Sequence, residues 1–360
     1  MLNKKEMQKM KITKGHISFE QSDMHFVEKF GISEAFRMVG DYVSERKTPF
    51  VYDTYQLAYL LGIGRKDLFS LVKTVDNHYR PVNILKKNGN IRTLIIPSSK
   101  LKRIQSVIAG RILSCYSVSE YAYAYLKRKT IYDNASVHCG KKYLLKMDIT
   151  DFFSSICFDR IYSAVFNTKY FPRQIGVMLT ALVCNDDVLP QGAPTSPAIS
   201  NIVMASFDRL IGTWCKERGV SYTRYCDDLT FSGNVPLYGV FKKSKSLLEE
   251  MGFEVNEKKT RFITSSDRQT VTGLTVNEKV SVPSDYKRKL RQEVYYVLKH
   301  GIVNTVLFTE NKEFISDGQV DEEKYYLSIL GRVSYVLQIE PDNRFFSEAR
   351  KRIMEDRYKT

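Results

Sequence analysis

Three short segments carry side chains able to do chemistry together. Lys146-Met147-Asp148-Ile149-Thr150-Asp151-Phe152-Phe153 puts an aspartate at the end of an apolar run, residues 142–149, that reads as a strand. A carboxylate there is costly unless it is paired or holds a metal. Tyr225-Cys226-Asp227-Asp228 lies in an alternating stretch, residues 220–232, that reads as a hairpin. Adjacent aspartates at a turn repel each other, and such a pair taken alone is most often simply solvated. Carboxylates arriving from two strands can instead hold two Mg²⁺ ions about 3.5–4 Å apart, which activate a hydroxyl nucleophile and stabilise the leaving oxygen in nucleotidyl transfer. The third segment, Gln191-Gly192-Ala193-Pro194-Thr195-Ser196-Pro197, is a loop feeding an apolar helix with Ile199, Val203, Phe207 and Leu210.

These segments need a frame. Residues 31–80 read as short helices, with Leu57, Leu60 and Leu61 on one face and a break at Gly62 and Gly64. Residues 82–96 are two β-branched runs about Asn88-Gly89, a hairpin signal. Pro97 ends the hairpin and a helix spans about Lys100 to Tyr116. Residues 159–184 are mostly helical, and 239–251 form an amphipathic helix closed by Gly252. Strands are expected near 253–255, 260–264, 270–276 and 279–282, and the chain after Pro283 is helical. There Ser284 is the expected N-cap, and Leu290, Val294, Val297 and Leu298 form the buried stripe. Arg288, Arg291, Gln292 and Tyr295 share another face, suited to a phosphate backbone with a ring free to stack. Residues 1–30 show no period and are read as an N-terminal extension.

Charge fits such a centre. The 360 residues hold 55 Lys and Arg against 40 Asp and Glu, a formal net charge of +15. Eight basic residues and no acidic one lie between Asn77 and Ser119, and Lys287, Arg288, Lys289 and Arg291 form a second concentration. Single-sign fields of this kind attract phosphates and make binding salt-dependent. With 43% apolar and 26% charged residues the composition is that of a globular chain, which excludes disordered and collagen-like classes. No apolar run approaches the roughly 18 residues of a membrane span, and no secretory signal is evident. The six cysteines form no CxxC pair and read as reduced thiols, which favours a cytoplasmic protein.

The ordered segments resemble the reverse transcriptases. Tyr225-Cys226-Asp227-Asp228 is similar to their Tyr-x-Asp-Asp box, the Lys146–Phe153 segment to their first metal-binding motif, and the Gln191–Pro197 loop to their template- and nucleotide-positioning motif. The resemblance implies an α+β, right-hand polymerase fold: fingers, a palm with an antiparallel ferredoxin-like sheet, and a helical thumb. It implies a metal-binding triad of Asp148, Asp227 and Asp228, assisted by the Ile149 main chain, for two Mg²⁺ ions with Mn²⁺ as a substitute. It places the dNTP against Lys86, Lys87 and Arg92 of the fingers hairpin, the amides around Asp151 and Phe152, a sugar gate at Phe153, and Gln191 with Gly192. Lys258 or Lys259, with Lys259 favoured, is the lysine that would protonate the pyrophosphate. The implied division is an extension over 1–30, fingers over 31–141, palm over 142–282 and thumb over 283–360.

Two further segments point within that family. Asn134-Ala135-Ser136-Val137-His138 resembles the Asn-Ala-x-x-His signature of retron reverse transcriptases, and Val271-Thr272-Gly273 their Val-Thr-Gly triplet. The resemblance implies that Asn134, His138, Val271, Thr272 and Gly273, with Lys287, Arg288, Arg291 and Tyr295, serve RNA binding; for His138 alone a structural role is the commoner one. It further implies a cognate structured non-coding RNA, priming from a guanosine 2′-hydroxyl, a branched RNA–DNA product and anti-phage action with a separate effector protein. Group II intron-type, diversity-generating and abortive-infection polymerases are the enzymatic alternatives. A catalytically silent RNA-binding scaffold is the non-enzymatic one, and the intact Asp148, Asp227 and Asp228 argue against it.

Overall fold

A computed structural model describes residues 51–85, 89, 91–167, 171–309, 312–316 and 318–356. The expectations for residues 1–30 and for Lys86 and Lys87 fall outside these residues. In chain order the elements are α1 (Thr54–Leu61), α2 (Arg65–Lys73), β1 (Tyr79–Leu85), β2 (Ile91–Pro97), α3 (Ser99–Val107), α4 (Ile131–Ser136), β3 (Tyr143–Asp148), α5 (Phe158–Ile161), α6 (Arg173–Val183), α7 (Ser196–Lys216), β4 (Ser221–Tyr225), β5 (Asp228–Gly233), α8 (Tyr238–Glu250), β6 (Arg261–Thr264), β7 (Thr270–Val271), β8 (Leu274–Thr275), α9 (Ser284–Phe308), β9 (Ile315–Ser316), β10 (Gln319–Val320), α10 (Glu322–Ile339) and α11 (Arg344–Asp356).

The centre is a four-stranded sheet in the order β4-β5-β3-β6, with every neighbouring pair antiparallel. The chain runs β3, α7, β4, β5, α8, β6, the βαββαβ path of the ferredoxin-like fold. Strand alternation assigns the two faces. Leu145 and Met147 of β3, Leu229 and Phe231 of β5, and Tyr222 of β4 enter one core with Ile199, Val203 and Phe207 of α7. Leu144 enters a second core built from the C-terminal helices. Asp148 shares the face of Leu144.

Most expected elements form. Asp53 caps α1 by accepting from the amides of Tyr55 and Gln56, and Gly62 ends it at φ 66°. The β1–β2 hairpin projects, with Ile84, Leu85 and Ile91 exposed. Four readings are corrected. Leu210 is exposed, because the buried stripe of α7 advances from Phe207 to Ile211, one full helical step of four. Val255 and Ser281 make only isolated bridges, to Ile149 and Thr275, so no strands form at 253–255 or 279–282. Pro283, not Ser284, holds the N-cap position of α9, without a side-chain bond. The C-terminal region also contains the β9–β10 hairpin between its helices.

Leu290, Val294 and Val297 of α9 pack on Ile329 and Val333 of α10 and Phe346 of α11, with Leu298 against the same cluster. Ion pairs fix this bundle: Arg332 binds Glu293 through two nitrogens at 2.5 and 2.6 Å, and Lys287 binds Glu340 at 2.6 Å. Among the described residues no helix is long and apolar enough to cross a membrane.

His138 ties α4 to the sheet. Its ring is fully buried, with Nδ1 2.7 Å from Ser232 Oγ on β5 and Nε2 2.7 Å from Thr223 Oγ1 on β4. A neutral imidazole donates to one hydroxyl and accepts from the other. Burial, with a smaller push from Lys141, lowers its pKa to about 3. The unfolded chain therefore takes up a proton that the folded chain refuses, and stability falls as pH drops below about 6.5. Between pH 7 and pH 5 the native protein should lose about 2 kcal/mol more than His138→Gln, read from denaturant unfolding at the two pH values. Parallel losses in both proteins would sink the assignment.

Candidate active site

Register brings the carboxylates together. Asp148, the last residue of β3, lies directly opposite Asp228, the first of β5. Tyr225 pairs with the same Asp228 from β4, so Cys226 and Asp227 are the two residues of the hairpin turn. Cys226 sits at φ 63°, the left-handed region that such tight turns require. The Asp227 carbonyl accepts from the Ile149 amide at 3.2 Å, fastening the turn to the end of β3. The Asp148 carbonyl accepts from the Asn256 amide at 2.8 Å.

That second bond starts the turn that delivers Lys259. Its amide donates to the Asn256 carbonyl, and its Nζ lies 3.0 and 2.9 Å from the two oxygens of Asp148. Among the described residues the Lys258 side chain bonds none of the aspartates; its carbonyl accepts from Arg261. Of the two lysines, Lys259 is the one that meets an aspartate. The Asp148 bond raises the Lys259 pKa above its ordinary value. Asp228 behaves oppositely to a typical paired carboxylate. Its edge is open to solvent, yet the protein mass behind it, then the Asp227 charge, push its carboxyl upwards.

The donor set is all oxygen, the preference of Mg²⁺. Among the described residues no group of three or more His, Cys, Asp or Glu is placed to hold a metal ion. Mg²⁺ is typically held by one or two carboxylates and completed by water and substrate phosphates. The Asp148–Asp228 pairing, with Asp227 adjacent, sets three carboxylates at one end of the sheet.

The residues expected on the nucleotide side also lie together. Arg92 on β2 donates Nε to Gln191 Oε1 at 3.1 Å, and the Ile95 amide donates to the Gln191 carbonyl at 3.0 Å, across nearly a hundred residues of sequence. Gly192 has φ 119°, and a Cβ there would stand 2.9 Å from Ile96 Cγ2 and 3.0 Å from the Ile95 carbonyl. Glycine is needed both for the backbone conformation and for the close approach. Asp151 takes φ 42° in the turn after β3, where its carbonyl accepts from the Ser155 amide. Phe152 packs on Phe253 and Phe153, and Phe153 is only 7% exposed.

Residues 84–277 match the model of the family described as Reverse transcriptase (RNA-dependent DNA polymerase). Retron Ec86 reverse transcriptase of Escherichia coli is 31% identical over 255 residues, covering 69% of this chain and 79% of that protein. Retron Ec83 reverse transcriptase, also of Escherichia coli, is 33% identical over 234 residues, covering 61% and 75%. Retron Mx65 reverse transcriptase of Myxococcus xanthus is 32% identical over 235 residues, covering 59% and 55%. This chain belongs to the retron reverse transcriptases. It is an RNA-directed DNA polymerase, of a family that works on an RNA template with nucleotide substrates and divalent metal ions.

The two retron signature segments lie against each other. Asn134 Nδ2 is 3.5 Å from Thr272 Oγ1, which itself donates to the Ile131 carbonyl at 3.2 Å. Asn134, His138 and Val271, expected among the RNA-binding residues, are buried. His138 bonds the sheet at Ser232 and Thr223, Asn134 meets Thr272, and Val271 packs in the core of the C-terminal helices. Thr272 and Gly273, at the positive-φ turn of β7–β8, remain partly open. Lys287 is likewise engaged, with Glu340, whereas Arg288, Arg291, Gln292 and Tyr295 share an exposed face of α9.

Sequence reasoning missed the group behind the retron enzyme's catalytic turn. Arg224, fully buried on β4, donates Nε and Nη2 to the two oxygens of Asp208 on α7 at 2.9 and 2.7 Å. Its Nη1 reaches Asn201 Oδ1 at 3.1 Å and the Cys226 carbonyl at 3.2 Å. Tyr222 donates to the same Asp208 at 2.8 Å. The available signal was a charged residue at a core-facing position of each element, Arg224 in β4 and Asp208 in α7. Arg224→Met should destabilise the fold by about 3–5 kcal/mol by leaving Asp208 buried and unpaired. Adding Asp208→Leu should recover most of that stability while polymerisation stays low, because the Cys226 carbonyl has lost its donor. Unfolding curves and kcat on the double variant separate the two roles; recovered activity would show that the turn needs no such anchor.

Proposed function

We propose that this enzyme binds its own structured non-coding RNA, primes from a guanosine 2′-hydroxyl of that RNA, and copies part of it into DNA as a branched RNA–DNA product. The observation that carries the reading is the carboxylate pair Asp148 and Asp228 set face to face, with Asp227 on the adjoining turn and Lys259 on Asp148. Asp148 and Asp227, with Asp228 as a secondary ligand and the Ile149 main chain beside them, would hold two Mg²⁺ ions, with Mn²⁺ as a substitute. When bound, such ions supply activation of the attacking hydroxyl and stabilisation of the leaving oxygen.

The remaining work belongs to the chain's own groups. Arg92, held beside Gln191, clamps the triphosphate, a role suited to a planar guanidinium. The main-chain amides around Asp151 and Phe152 donate to its oxygens. Gln191 and Gly192 bring the backbone against the nucleotide and template base. Phe153, close-packed on Phe152, closes the space below the sugar and excludes a 2′-hydroxyl. Lys259 Nζ carries the proton that the departing pyrophosphate receives. Fingers over 31–141, palm over 142–282 and thumb over 283–360 divide these tasks, and the Arg288, Arg291, Tyr295 face of the thumb grips the RNA–DNA hybrid. The branched product acts in anti-phage defence with a separate effector protein.

With the cognate RNA, dNTPs and Mg²⁺, the enzyme should yield DNA covalently joined to RNA. Asp227→Asn should lower that yield about 100-fold or more, by loss of charge stabilisation in the transition state. Undiminished synthesis would refute the metal assignment. A DNA product with a free 5′ end, in the absence of any debranching activity, would refute the 2′-priming reading while leaving the polymerase intact. Lys259→Gln should lower kcat far more than it raises KM for dNTP, measured in steady state.

A further inference from the structure

One aromatic side chain beside the catalytic turn is used by neither the core nor the mechanism above. Residues 121–129, Tyr-Ala-Tyr-Ala-Tyr-Leu-Lys-Arg-Lys, run alongside β4. Ala122 bridges to Arg224 in parallel register; the Arg224 amide donates to the Tyr121 carbonyl and the Tyr123 amide to the Arg224 carbonyl, each at 2.8 Å. The three tyrosines meet different fates. Tyr121 lies on α7, where Gly212 leaves it room and a Cβ would stand 2.3 Å from its ring. Tyr123 lies under the Lys129 ammonium, 3.9 Å from the ring centre. Tyr125 is 53% exposed and makes no ring contact among the described residues.

Tyr125 is nevertheless held firmly. Its φ is 64°, a left-handed conformation that is costly for an aromatic residue and survives only where the surroundings enforce it. Asn201, the side chain that also receives Arg224, donates Nδ2 to the Ala124 carbonyl at 3.1 Å. Lys129 closes the segment from the other side on the carbonyls of Glu120 and Ala122. The Tyr125 hydroxyl donates to Cys226 Sγ at 3.2 Å, so the ring stands against the residue preceding Asp227. Burial pushes the Cys226 thiol up to about 12, which keeps it protonated and unreactive at neutral pH. Lys127 and Arg128, next along the loop, are exposed and have no acidic partner among the described residues.

We propose that Tyr125 is a base-stacking platform at the catalytic turn, and that Lys127 and Arg128 hold phosphates of the same nucleic-acid strand. The ligand is the end of the primer–template duplex at the reacting position. An exposed ring fixed by its backbone and its hydroxyl offers one face to a base without ordering cost, and base–aromatic stacking tolerates any sequence. The proposal rests on the polymerase site described above and adds a contact to it.

The test uses the full chain and an RNA template annealed to a DNA primer whose 3′-terminal base is 2-aminopurine. Stacking on Tyr125 should quench the fluorophore on binding. Tyr125→Leu should remove that quenching and raise Kd for the duplex about tenfold, whereas Tyr125→Phe should restore most of both. Lys127→Gln and Arg128→Gln should each flatten the slope of log Kd against log salt by about one. Unchanged quenching and Kd in Tyr125→Leu would overturn the platform, and unchanged salt slopes would overturn the phosphate contacts. A native enzyme that binds the duplex but cannot extend it would instead overturn the polymerase reading, so the two failures are distinguishable.

Discussion

Two carboxylates of like charge, Asp148 and Asp228, face each other across one antiparallel pair, and nearly every other feature of the centre follows from that constraint. Such a pair is unfavourable in isolation. Lys259 offsets it by placing an ammonium on both oxygens of Asp148. The register itself is fixed by the opposite face, where Leu145 meets Phe231 and Met147 meets Leu229. A slip of one residue would turn those apolar side chains to the other face and the aspartates into the core between the sheet and α7. The hydrophobic core thus specifies the catalytic geometry.

Much of this was legible in the sequence because it depends on local pattern. The alternation of residues 220–232 and the apolar run ending at Asp148 disclosed two strands of the sheet, and the Gly- and Pro-rich loop disclosed the start of α7. What stayed hidden depends on which distant groups meet. Nothing near Arg92 announces Gln191, and nothing near Arg224 announces Asp208. Periodicity also misjudged Leu210, since a helix stripe drifts and Ile211 is the better continuation from Phe207. The triad segments could be placed by motif, whereas the choice of Lys259 over Lys258 needed the turn at Asn256.

The signature segments show how a family mark can be structural. Short polar motifs near a polymerase site invite an RNA-binding reading, and composition offers no counterargument. Burial does: a histidine with both nitrogens satisfied by Ser232 and Thr223 has no donor left for a phosphate. Asn134, meeting Thr272, couples that histidine's helix to the β7–β8 turn and so to the start of the C-terminal helices. Both motifs thus tie the sheet that carries Asp148 to the segment that leads into α9.

Charge completes the argument. The exposed Lys100, Lys102, Arg103 and Arg111 stand around α3, and Arg288 and Arg291 on α9, while the aspartates lie on the sheet that joins them. A polyanion is attracted to either flank but repelled at the centre until cations arrive there. Lys259 alone neutralises only one of three carboxylates. Under the proposed function, duplex binding and loading of divalent ions would be coupled through the same field, each lowering the electrostatic cost of the other. Arg224 and Tyr125 both bond to Cys226 in the turn between them, one at its carbonyl and one at its sulfur.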